Sequence, residues 1–390
     1  MQYAIANHQR VPITITRGKG CYLYDNHQRR YLDFMGGWCV GTVGWGNAAM
    51  AKAISQQVQQ QFFTVASFIL EPQERLAQTL IKLAPGKMAR VYRVTSGSEA
   101  VEMAMKCARV ATGKKVIISF AEVYHGHTYG AASVGSALTS GMQPGITGVE
   151  KLPLPTSADL AAKVLVQLEQ RLRHKRDVAA VLTEPVWTNA GCYIPPADFF
   201  PQVQKLCRRY GVLLVMDEVA CGIGRCGTLF ASELWGLQPD IITLGKALTG
   251  GYATLGATLV TEAVYKKSKH IPHYSTFGWR LTDCIATLEN LRLIQEQKLV
   301  QNSAKVGAYL LAQLQPLLTL RKVKMLRGQG LLIGVQFKLP LAPQIALKCY
   351  RRGLLVEFTD LFTLYLSPPL VLSRAQAKAG ADIIKAACGI

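Results

Sequence analysis

Short apolar runs that end in a polar residue recur through the middle of the chain. The clearest covers residues 213–216, is wholly apolar, and is followed by Asp217. A continuous apolar run predicts a strand covered on both faces, and open α/β sheets bind ligands at the C-terminal ends of such strands. Because side chains alternate along a strand, Asp217 and Val219 are predicted on one face and Glu218 on the other.

Neighbouring segments repeat this pattern, with helical segments between them. The run VAAVLT leads to Glu184, and the apolar pair Ile241 and Ile242 precedes Lys246 in a turn closed by two glycines. The amphipathic segment FFPQVQKLCRRYG separates the first of these runs from the strand at 213–216. This alternation predicts right-handed crossovers and a mostly parallel sheet flanked by helices, so the fold class is α/β.

A helix with a polar start is predicted near residue 97. In TSGSEAVEMAMKCAR the apolar residues recur at helical spacing from Val101 onward. Gly97 frees the backbone at the start of this helix, and Ser98 adds a hydroxyl group. Free N–H groups and the positive end of the helix dipole suit a phosphate group there, although Ser-Gly-Ser also serves as an ordinary helix cap.

The predicted strand KVIISF leads to a second group of polar and aromatic residues. The ring of Tyr124 is suited to cover a flat cofactor. His125 and His127 are two positions apart, but no third ligand or acidic cluster lies near them in the sequence, so no metal site is predicted. Residues 131–157 are rich in Gly, Ser, Thr and Pro, and we predict that they form a long surface loop.

The two ends of the chain differ from its middle. Short β-like pieces and turn signals fill the first 45 residues, and a helix followed by apolar strands such as GQGLLIGVQFKL fills the last part. We therefore predict a large domain at residues 46–295. Residues 1–45 and 296–390 are predicted to form a small α+β domain built from both termini.

The composition indicates a large hydrophobic core and an excess of positive charge. Of the 390 residues 49% are hydrophobic, and 44 basic against 24 acidic residues give a net charge of +20. Solvated helix faces account for the scattered basic runs, with attraction to nucleic acid or acidic surfaces as the alternative. The ten cysteines form no CxxC pair and are predicted to be reduced, mostly buried thiols.

Nothing in the sequence predicts a membrane protein. No apolar run reaches the length needed to span a bilayer, and the first ten residues, MQYAIANHQR, lack the apolar core of a secretory signal. We therefore expect a cytoplasmic protein with no membrane partner.

An acid and a lysine at neighbouring strand ends suit one kind of cofactor. Pyridoxal phosphate (PLP) carries a basic ring nitrogen, which an acid can bind, and an aldehyde, which a lysine can bind. Asp217 alone would be an ordinary turn residue, and Lys246 alone an ordinary surface residue. The order in which further motifs occur decides between these interpretations.

Six motifs occur in the order that resembles the class III (ω-type) aminotransferases. They are GSEAVE, YHGHT, a strand-end EP, DEV, LGKALTGG and STFG. The resemblance runs from YLYDNHQRRYLDF near residue 22 to YLSPPL near residue 365, and the central stretch is most similar to the diaminopelargonate branch. The overall length is similar to that of the acetylornithine branch. The resemblance implies a PLP enzyme of fold type I.

The resemblance also implies a role for each motif. Lys246 would hold PLP as a Schiff base and then move the proton during catalysis, which suits a group whose pKa falls readily. Asp217 would keep the pyridine nitrogen protonated. Val219 and Tyr124 would pack on the two sides of the ring.

Further motif residues would hold the phosphate or lie near the ring. Gly97 and Ser98 match phosphate ligands, and Thr276 of STFG matches a phosphate ligand that a second subunit donates. The resemblance therefore implies a homodimer with active sites at the interface. Glu184 and His125 match residues near the ring.

Several positions depart from the pattern of the ornithine and acetylornithine branches. Their carboxylate-binding arginine in YHGRT is His127 here, and their paired glutamate and arginine are Asn189 and Tyr365. Both members of the pair change together, which fits the cost of burying a lone charge. These departures argue against glutamate being handled in the usual way.

Two further residues are predicted to contact the substrate. Trp38 matches a substrate-pocket tryptophan of the diaminopelargonate branch, with Cys39 beside it. Arg280 follows STFG, and we predict that it contacts a substrate carboxylate.

The expected function is a PLP-dependent aminotransferase acting on small-molecule amine and oxo-acid substrates. It would move an amino group from a primary amine, diamine or ω-amino acid to an oxo-acid, with the diaminopelargonate type as one form. An aminomutase of the glutamate-semialdehyde type shares the cofactor and needs no second substrate. A basic nucleic-acid-binding protein on the same fold is the alternative from another class, and the complete set of cofactor residues argues against it.

Overall fold

The computed structural model describes residues 13–64, 68–137 and 140–390, so the prediction made from the first ten residues lies outside this part. The strands are, in chain order, β1 (Ile15–Lys19), β2 (Tyr22–Asp25), β3 (Arg30–Asp33), β4 (Met88–Val94), β5 (Val116–Phe120), β6 (Val149–Leu152), β7 (Val178–Thr183), β8 (Leu213–Asp217), β9 (Ile241–Leu244), β10 (Gly256–Thr261), β11 (Val323–Gln329), β12 (Leu332–Phe337), β13 (Leu354–Leu355), β14 (Glu357–Asp360) and β15 (Thr363–Leu366).

The helices lie between these strands. They are α1 (Gly36–Cys39), α2 (Ala48–Gln59), α3 (Glu71–Leu83), α4 (Gly97–Thr112), α5 (Tyr129–Val134), α6 (Ala158–His174), α7 (Phe199–Tyr210), α8 (Glu262–Ser268), α9 (Leu281–Glu296), α10 (Leu299–Leu314), α11 (Ala342–Arg351) and α12 (Arg374–Cys388). Single 3₁₀ turns lie at Ser140–Met142, Ala231–Trp235, Lys246–Thr249 and Gln315–Thr319.

A seven-stranded sheet forms the centre of the molecule, in the order β4-β10-β9-β8-β7-β5-β6. Every neighbouring pair from β9 to β6 is parallel, whereas β10 is antiparallel to both β4 and β9. The predicted α/β fold with a mostly parallel sheet is therefore confirmed. The C-terminal ends of β7, β8 and β9 place the residues that follow them at one edge of the sheet.

Helices cover both faces of this sheet and bury it. The apolar stripe of α4 packs on one face, while α6 and α7 pack on the other with their own buried residues. Strands β7 and β9 are buried at every position because both of their faces are covered. Truncation of a buried leucine such as Leu168 to alanine would destabilise this packing by about 2–5 kcal/mol.

Two smaller sheets bring the ends of the chain together. One has the order β1-β2-β3-β13, with Leu354 of β13 aligned to Leu32 of β3 in a parallel pair. The other has the order β11-β12-β15-β14. Segments from both termini thus share a sheet, as predicted for the small part of the fold. The division at residues 45 and 295 stays a prediction.

The prediction of a long surface loop over residues 131–157 is wrong. This stretch contains part of the buried helix α5 and strand β6, which pairs in parallel with β5 at the edge of the central sheet. Small residues mark a loop by composition, but here they permit close packing: the carboxylate of Glu102 accepts the N–H of Ala131 at 3.1 Å, directly beside Gly130.

Two other expectations concern the whole chain. All ten cysteines are buried and carry free thiols, as predicted. Within the described ranges, every helix is too short or too polar to cross a bilayer.

Candidate active site

The Asp217 carboxylate is held in one orientation at the end of β8. Its Oδ1 atom accepts hydrogen bonds from the Thr243 hydroxyl at 2.9 Å and from the Val219 N–H at 3.1 Å. Its Oδ2 atom lies 2.7 Å from Nδ1 of His125. The side chain is almost fully buried, so these contacts fix the plane of a carboxylate that water does not reach freely. Glu218 points the other way, toward Ser232, as the strand alternation predicts.

Lys246 lies immediately after β9 in a strained turn. Its backbone φ is +43°, a conformation that residues other than glycine rarely adopt and that costs about 1–2 kcal/mol. The side-chain amide of Asn290 in α9 holds this turn by donating to the carbonyls of Ala247 and Leu248 at 2.9 and 3.0 Å. The turn and its closing glycine, Gly250 at φ +62°, match the sequence prediction.

Lys246 and Asp217 line one cavity of about 190 Å³ at the C-terminal edge of the sheet. The lining residues come from the start of α4, the segment after β5 and the ends of β7, β8 and β9. They are Ser96, Gly97, Ser98, Tyr124, His125, Gly126, His127, Glu184, Asp217, Val219, Ala220 and Lys246. The structure therefore brings together eight of the residues predicted to bind the cofactor, in addition to His127.

The start of α4 forms the polar end of this cavity. Ser96 caps the helix by accepting the N–H of Glu99 at 3.2 Å. A Cβ atom on Gly97 would lie 2.6 Å from Cγ1 of Val219, so only glycine fits between the helix start and this side chain. The Ser98 hydroxyl accepts the N–H of His127 at 3.2 Å. The remaining free N–H groups of the first turn suit an anion.

Glu184 is a buried acid without a full set of partners. Burial raises the pKa of its carboxyl to about 7. One oxygen, Oε1, accepts the hydroxyl of Thr188, whereas Oε2 has no hydrogen-bond partner among the described residues. The Nε2 atom of His125 is also buried and has no hydrogen-bond partner among the described residues. Buried polar atoms of this kind usually face a group that the protein binds.

Trp38 and Tyr365 lie together, but neither lines the cavity. Their rings stack with centroids 5.2 Å apart. The hydroxyl of Tyr365 lies 2.7 Å from the sulfur of Cys39, and both are buried in a cluster that also contains Val186, two residues after Glu184. Trp38 adopts a positive φ of 60° in the short helix α1, which packs against the Lys246 turn. The pair therefore lies next to the cavity.

The structure does not bring Arg280 into the cavity. Its guanidinium forms a bidentate pair with the buried carboxylate of Asp283, with both N–O distances at 2.8 Å. This pair occupies the guanidinium face suited to a carboxylate, so the sequence prediction of a substrate contact finds no support in a single chain. Thr276 is exposed, and with Arg280 it lines a separate surface pocket.

Three residues of this site were missed by sequence reasoning. Thr243 faces Asp217 because β8 and β9 align these two positions, a register that the sequence does not state. Thr188 lies in the loop after β7 and donates its hydroxyl to Glu184. Asn290 lies in the distant helix α9 and donates to the turn that carries Lys246. Alternation along β9 was the one signal that pointed to Thr243.

The comparison with known proteins settles the family. A family model described as aminotransferase class-III matches residues 3–388, so the chain belongs to the class III aminotransferases. Acetylornithine aminotransferase of Archaeoglobus fulgidus is 32% identical over 98% of this chain and 97% of its own. Adenosylmethionine-8-amino-7-oxononanoate aminotransferase of Staphylococcus aureus is 32% identical over 96% of this chain and 91% of its own.

A solved structure agrees with this assignment. An amine transaminase from an uncultivated Pseudomonas species, in its PLP-bound form, has a TM-score of 0.92 and 33% identity, and the match covers 99% of this chain and 97% of that one. The enzyme is thus an aminotransferase with PLP as its cofactor.

The residues of the cavity fit this cofactor. A lysine suits its aldehyde, a buried carboxylate suits its ring nitrogen, and a free helix start suits its phosphate. The unpartnered atoms of His125 and Glu184 leave polar contacts for a bound group. Among the described residues, no group of three His, Cys, Asp or Glu side chains is arranged to hold a metal ion.

Proposed function

We propose that this enzyme transfers an amino group from a primary amine, a diamine or an ω-amino acid to an oxo-acid acceptor. The observation that carries the proposal is the charge of the cavity: of the described residues that line it, Glu184 and Asp217 carry carboxyl groups and none is an arginine. A donor bound through its α-carboxylate would need a cation such as arginine in this lining, and the carboxylate of the oxo-acid acceptor must find its cation outside it. A protonated terminal amine instead suits the unpartnered Oε2 atom of Glu184.

The names of similar proteins are compatible with such a donor. The putrescine aminotransferase of Pectobacterium atrosepticum is 32% identical over 93% of this chain and 80% of its own. The adenosylmethionine-8-amino-7-oxononanoate aminotransferase already described belongs to the branch that the central motifs resemble. Putrescine is a diamine, so the first name supports the proposed donor class. Adenosylmethionine carries an α-amino acid group, so the second name does not bear on this choice of donor.

Lys246 and Asp217 are the proposed catalytic residues. PLP supplies an aldehyde that takes up the amine and a ring that withdraws electrons from the reacting carbon. Lys246 would hold the cofactor through its aldehyde, and its free amine would then act as the base and the acid that move a proton. Asp217 would keep a proton on the ring nitrogen, and its three hydrogen bonds hold it in place for this task.

The other cavity residues position the cofactor. Gly97 and Ser98 with the free N–H groups of α4 take the phosphate. Val219, which packs on Gly97, forms one side of the ring site, and Tyr124 forms the other. His125 orients Asp217 through their hydrogen bond.

We also propose that the enzyme is a homodimer. Four aromatic residues next to Thr276 are more than half exposed, which defines the aromatic patch Phe62, Phe63, Tyr274 and Phe277. Side chains of this size are rarely left grouped in solvent without a partner. A second copy that covers the patch would bring its Thr276 toward the phosphate site of the first.

A half-reaction screen tests the choice of donor. The purified holoenzyme is mixed with single amines, and conversion of the cofactor to its amine form is followed by absorbance. Putrescine, other diamines and ω-amino acids are expected to convert it faster than α-amino acids of equal length. The proposal is wrong if only α-amino acids convert it. Release of an oxo product in the same single turnover separates transfer from an aminomutase, which keeps the nitrogen in one molecule.

A further inference from the structure

Exposed and half-buried basic side chains cluster around α11. Burial raises the pKa of the Cys388 thiol in α12 to about 11, and the charges of Lys322 and Lys348 act against this effect. The N–H of Lys338 donates to the carbonyl of Lys322 at 2.8 Å. The N–H of Phe337 at the end of β12 donates to the carbonyl of Phe362 at 2.8 Å, and α11 packs on β14, β15 and α12. The ends of β11 and β12 therefore lie near α11.

Arginines extend the same face. The guanidinium of Arg29 donates to the carbonyl of Arg351 at 2.7 Å. The guanidinium of Arg352 donates to the carbonyl of Lys348 at 3.2 Å. The ion pairs that the described residues form include none of these six basic side chains. Their charge is therefore available to an external anion.

Large apolar side chains lie beside this charge. Leu339, Leu347, Leu361 and Phe362 are 40% to 58% exposed. Leu361 lies at the start of α11, where its carbonyl accepts the N–H of Ala342 at 3.0 Å. We call this combination the α11 surface, and it consists of Arg29, Lys322, Lys338, Lys348, Arg351, Arg352 and the four apolar residues.

We propose that the α11 surface binds the headgroup layer of an anionic lipid bilayer. The basic side chains would contact lipid phosphates, and the apolar side chains would enter the boundary with the acyl chains. The net charge of +20 adds long-range attraction to such a surface. The contact is reversible and needs no spanning helix, although it departs from our expectation of no membrane partner.

Two other occupants fit the surface less well. Nucleic acid offers phosphates but no apolar layer that would bury four large apolar side chains. A second copy of the chain would bring like charges together across the contact. Both alternatives become outcomes of the experiment.

Vesicle sedimentation of the holoenzyme tests the proposal. Vesicles of phosphatidylcholine with an equal part of phosphatidylglycerol are expected to carry the enzyme down at low salt, and vesicles of phosphatidylcholine alone are not. Lys348→Glu with Arg351→Glu should weaken binding about tenfold or more. Leu347→Gln should also weaken it, although it leaves the charge unchanged. The control Lys266→Glu with Lys267→Glu makes the same change of charge on α8 and should bind nearly as wild type does.

Several results would overturn the proposal. The enzyme could fail to sediment with the anionic vesicles, or both charge reversals could weaken binding equally. Retention of polyuridylate that Leu347→Gln leaves intact, without vesicle binding, would assign the surface to nucleic acid. A change in molecular mass on Leu347→Gln would assign it to a second copy. Unchanged aminotransferase turnover in each variant establishes that it is folded, and separates this proposal from the proposed function.

Discussion

The Nδ1 atom of His125 lies 2.7 Å from Oδ2 of Asp217, and both side chains are buried. The other ring nitrogen of His125 has no hydrogen-bond partner among the described residues. Among the described residues, His125 thus makes its one side-chain hydrogen bond to the carboxylate that we assign to the cofactor ring. We propose that its role is to hold Asp217 in place.

Replacement of His125 should lower turnover through Asp217. His125→Leu removes the hydrogen bond, which is worth about 1.5–3 kcal/mol for a charged partner, so kcat should fall about 10- to 100-fold. His125→Asn keeps a nitrogen near the position of Nδ1 and should retain most of the activity. Steady-state kinetics of both variants measure the effect, with His174→Leu on the surface of α6 as control. Equal loss in the Leu and Asn variants would contradict a role in positioning.

Lys246 should be the residue that carries the cofactor covalently. In Lys246→Ala, turnover should fall by about 10⁴-fold or more because both the anchor and the proton carrier are lost. The absorbance band that borohydride bleaches should vanish with it, whereas Lys163→Ala should keep both. After borohydride reduction of the wild type, peptide mass spectrometry should find the cofactor on residue 246. A reducible band that persists in Lys246→Ala would exclude the assignment.

The central sheet and the start of the site could be predicted from sequence because local signals encode them. Buried strands are continuous apolar runs, and polar residues that follow them mark the ligand edge, as for Asp217 and Lys246. The glycine turn after Lys246 and the serine cap of α4 are also local. What a few consecutive residues determine was visible in the sequence.

The parts that were missed depend on contacts between distant segments. Thr243 faces Asp217 only through the register of two strands, and Asn290 holds the Lys246 turn from 44 positions away in the chain. Arg280 was predicted to contact the substrate because arginine binds carboxylates. Its guanidinium instead binds the carboxylate of Asp283, three residues further along. No pattern in the sequence showed that Arg280 would bind the carboxylate of Asp283 and not the carboxylate of a substrate.

Gly97 should be intolerant of even a methyl group. In Gly97→Ala the new Cβ would lie 2.6 Å from Cγ1 of Val219, so the helix start or Val219 must shift. We expect a loss of about 1–3 kcal/mol in stability and weaker PLP binding. The thermal midpoint and PLP titration of the apoenzyme measure the two effects. The control Gly141→Ala adds its methyl group in open space and should change neither.

A second substitution tests the cause of that loss. Gly97→Ala combined with Val219→Ala removes the methyl groups of Val219 that the new Cβ would meet, so the thermal midpoint should recover part of its loss. If the double variant is no more stable than the sum of the two single changes predicts, the clash with Val219 is not the reason.

Glu184 should make stability depend on pH. Its folded pKa is about 7, against an ordinary value of 4.5, because burial disfavours the charged form. The folded protein therefore keeps a proton that the unfolded chain has released, and stability falls as pH rises through this window, by about 3 kcal/mol at most. Above about pH 8 both states are ionised, and the loss is complete.

Glu184→Gln isolates this effect because glutamine has the same shape and does not titrate. The thermal midpoint of the wild type should fall relative to that of Glu184→Gln between about pH 5 and pH 8. Differential scanning calorimetry of both proteins without cofactor measures the difference. A constant difference across this range would mean that Glu184 is ionised throughout, and that its pKa is not raised in the folded enzyme.

A charge placed in the aromatic patch should separate the proposed dimer. The rings of Phe277 and Phe63 lie 5.8 Å apart, and Phe277 is 61% exposed in a single chain. Phe277→Asp would bury an unpaired carboxylate in the interface, at a cost of several kcal/mol, so we expect monomers. PLP content should fall as well, since Thr276 would no longer reach the second subunit. Light scattering and cofactor absorbance measure mass and occupancy in one run. Val166→Asp makes the same kind of change at an exposed site on α6 and should leave the dimer intact. A monomeric wild type, or a Phe277→Asp variant with unchanged mass, would show that the patch has another purpose.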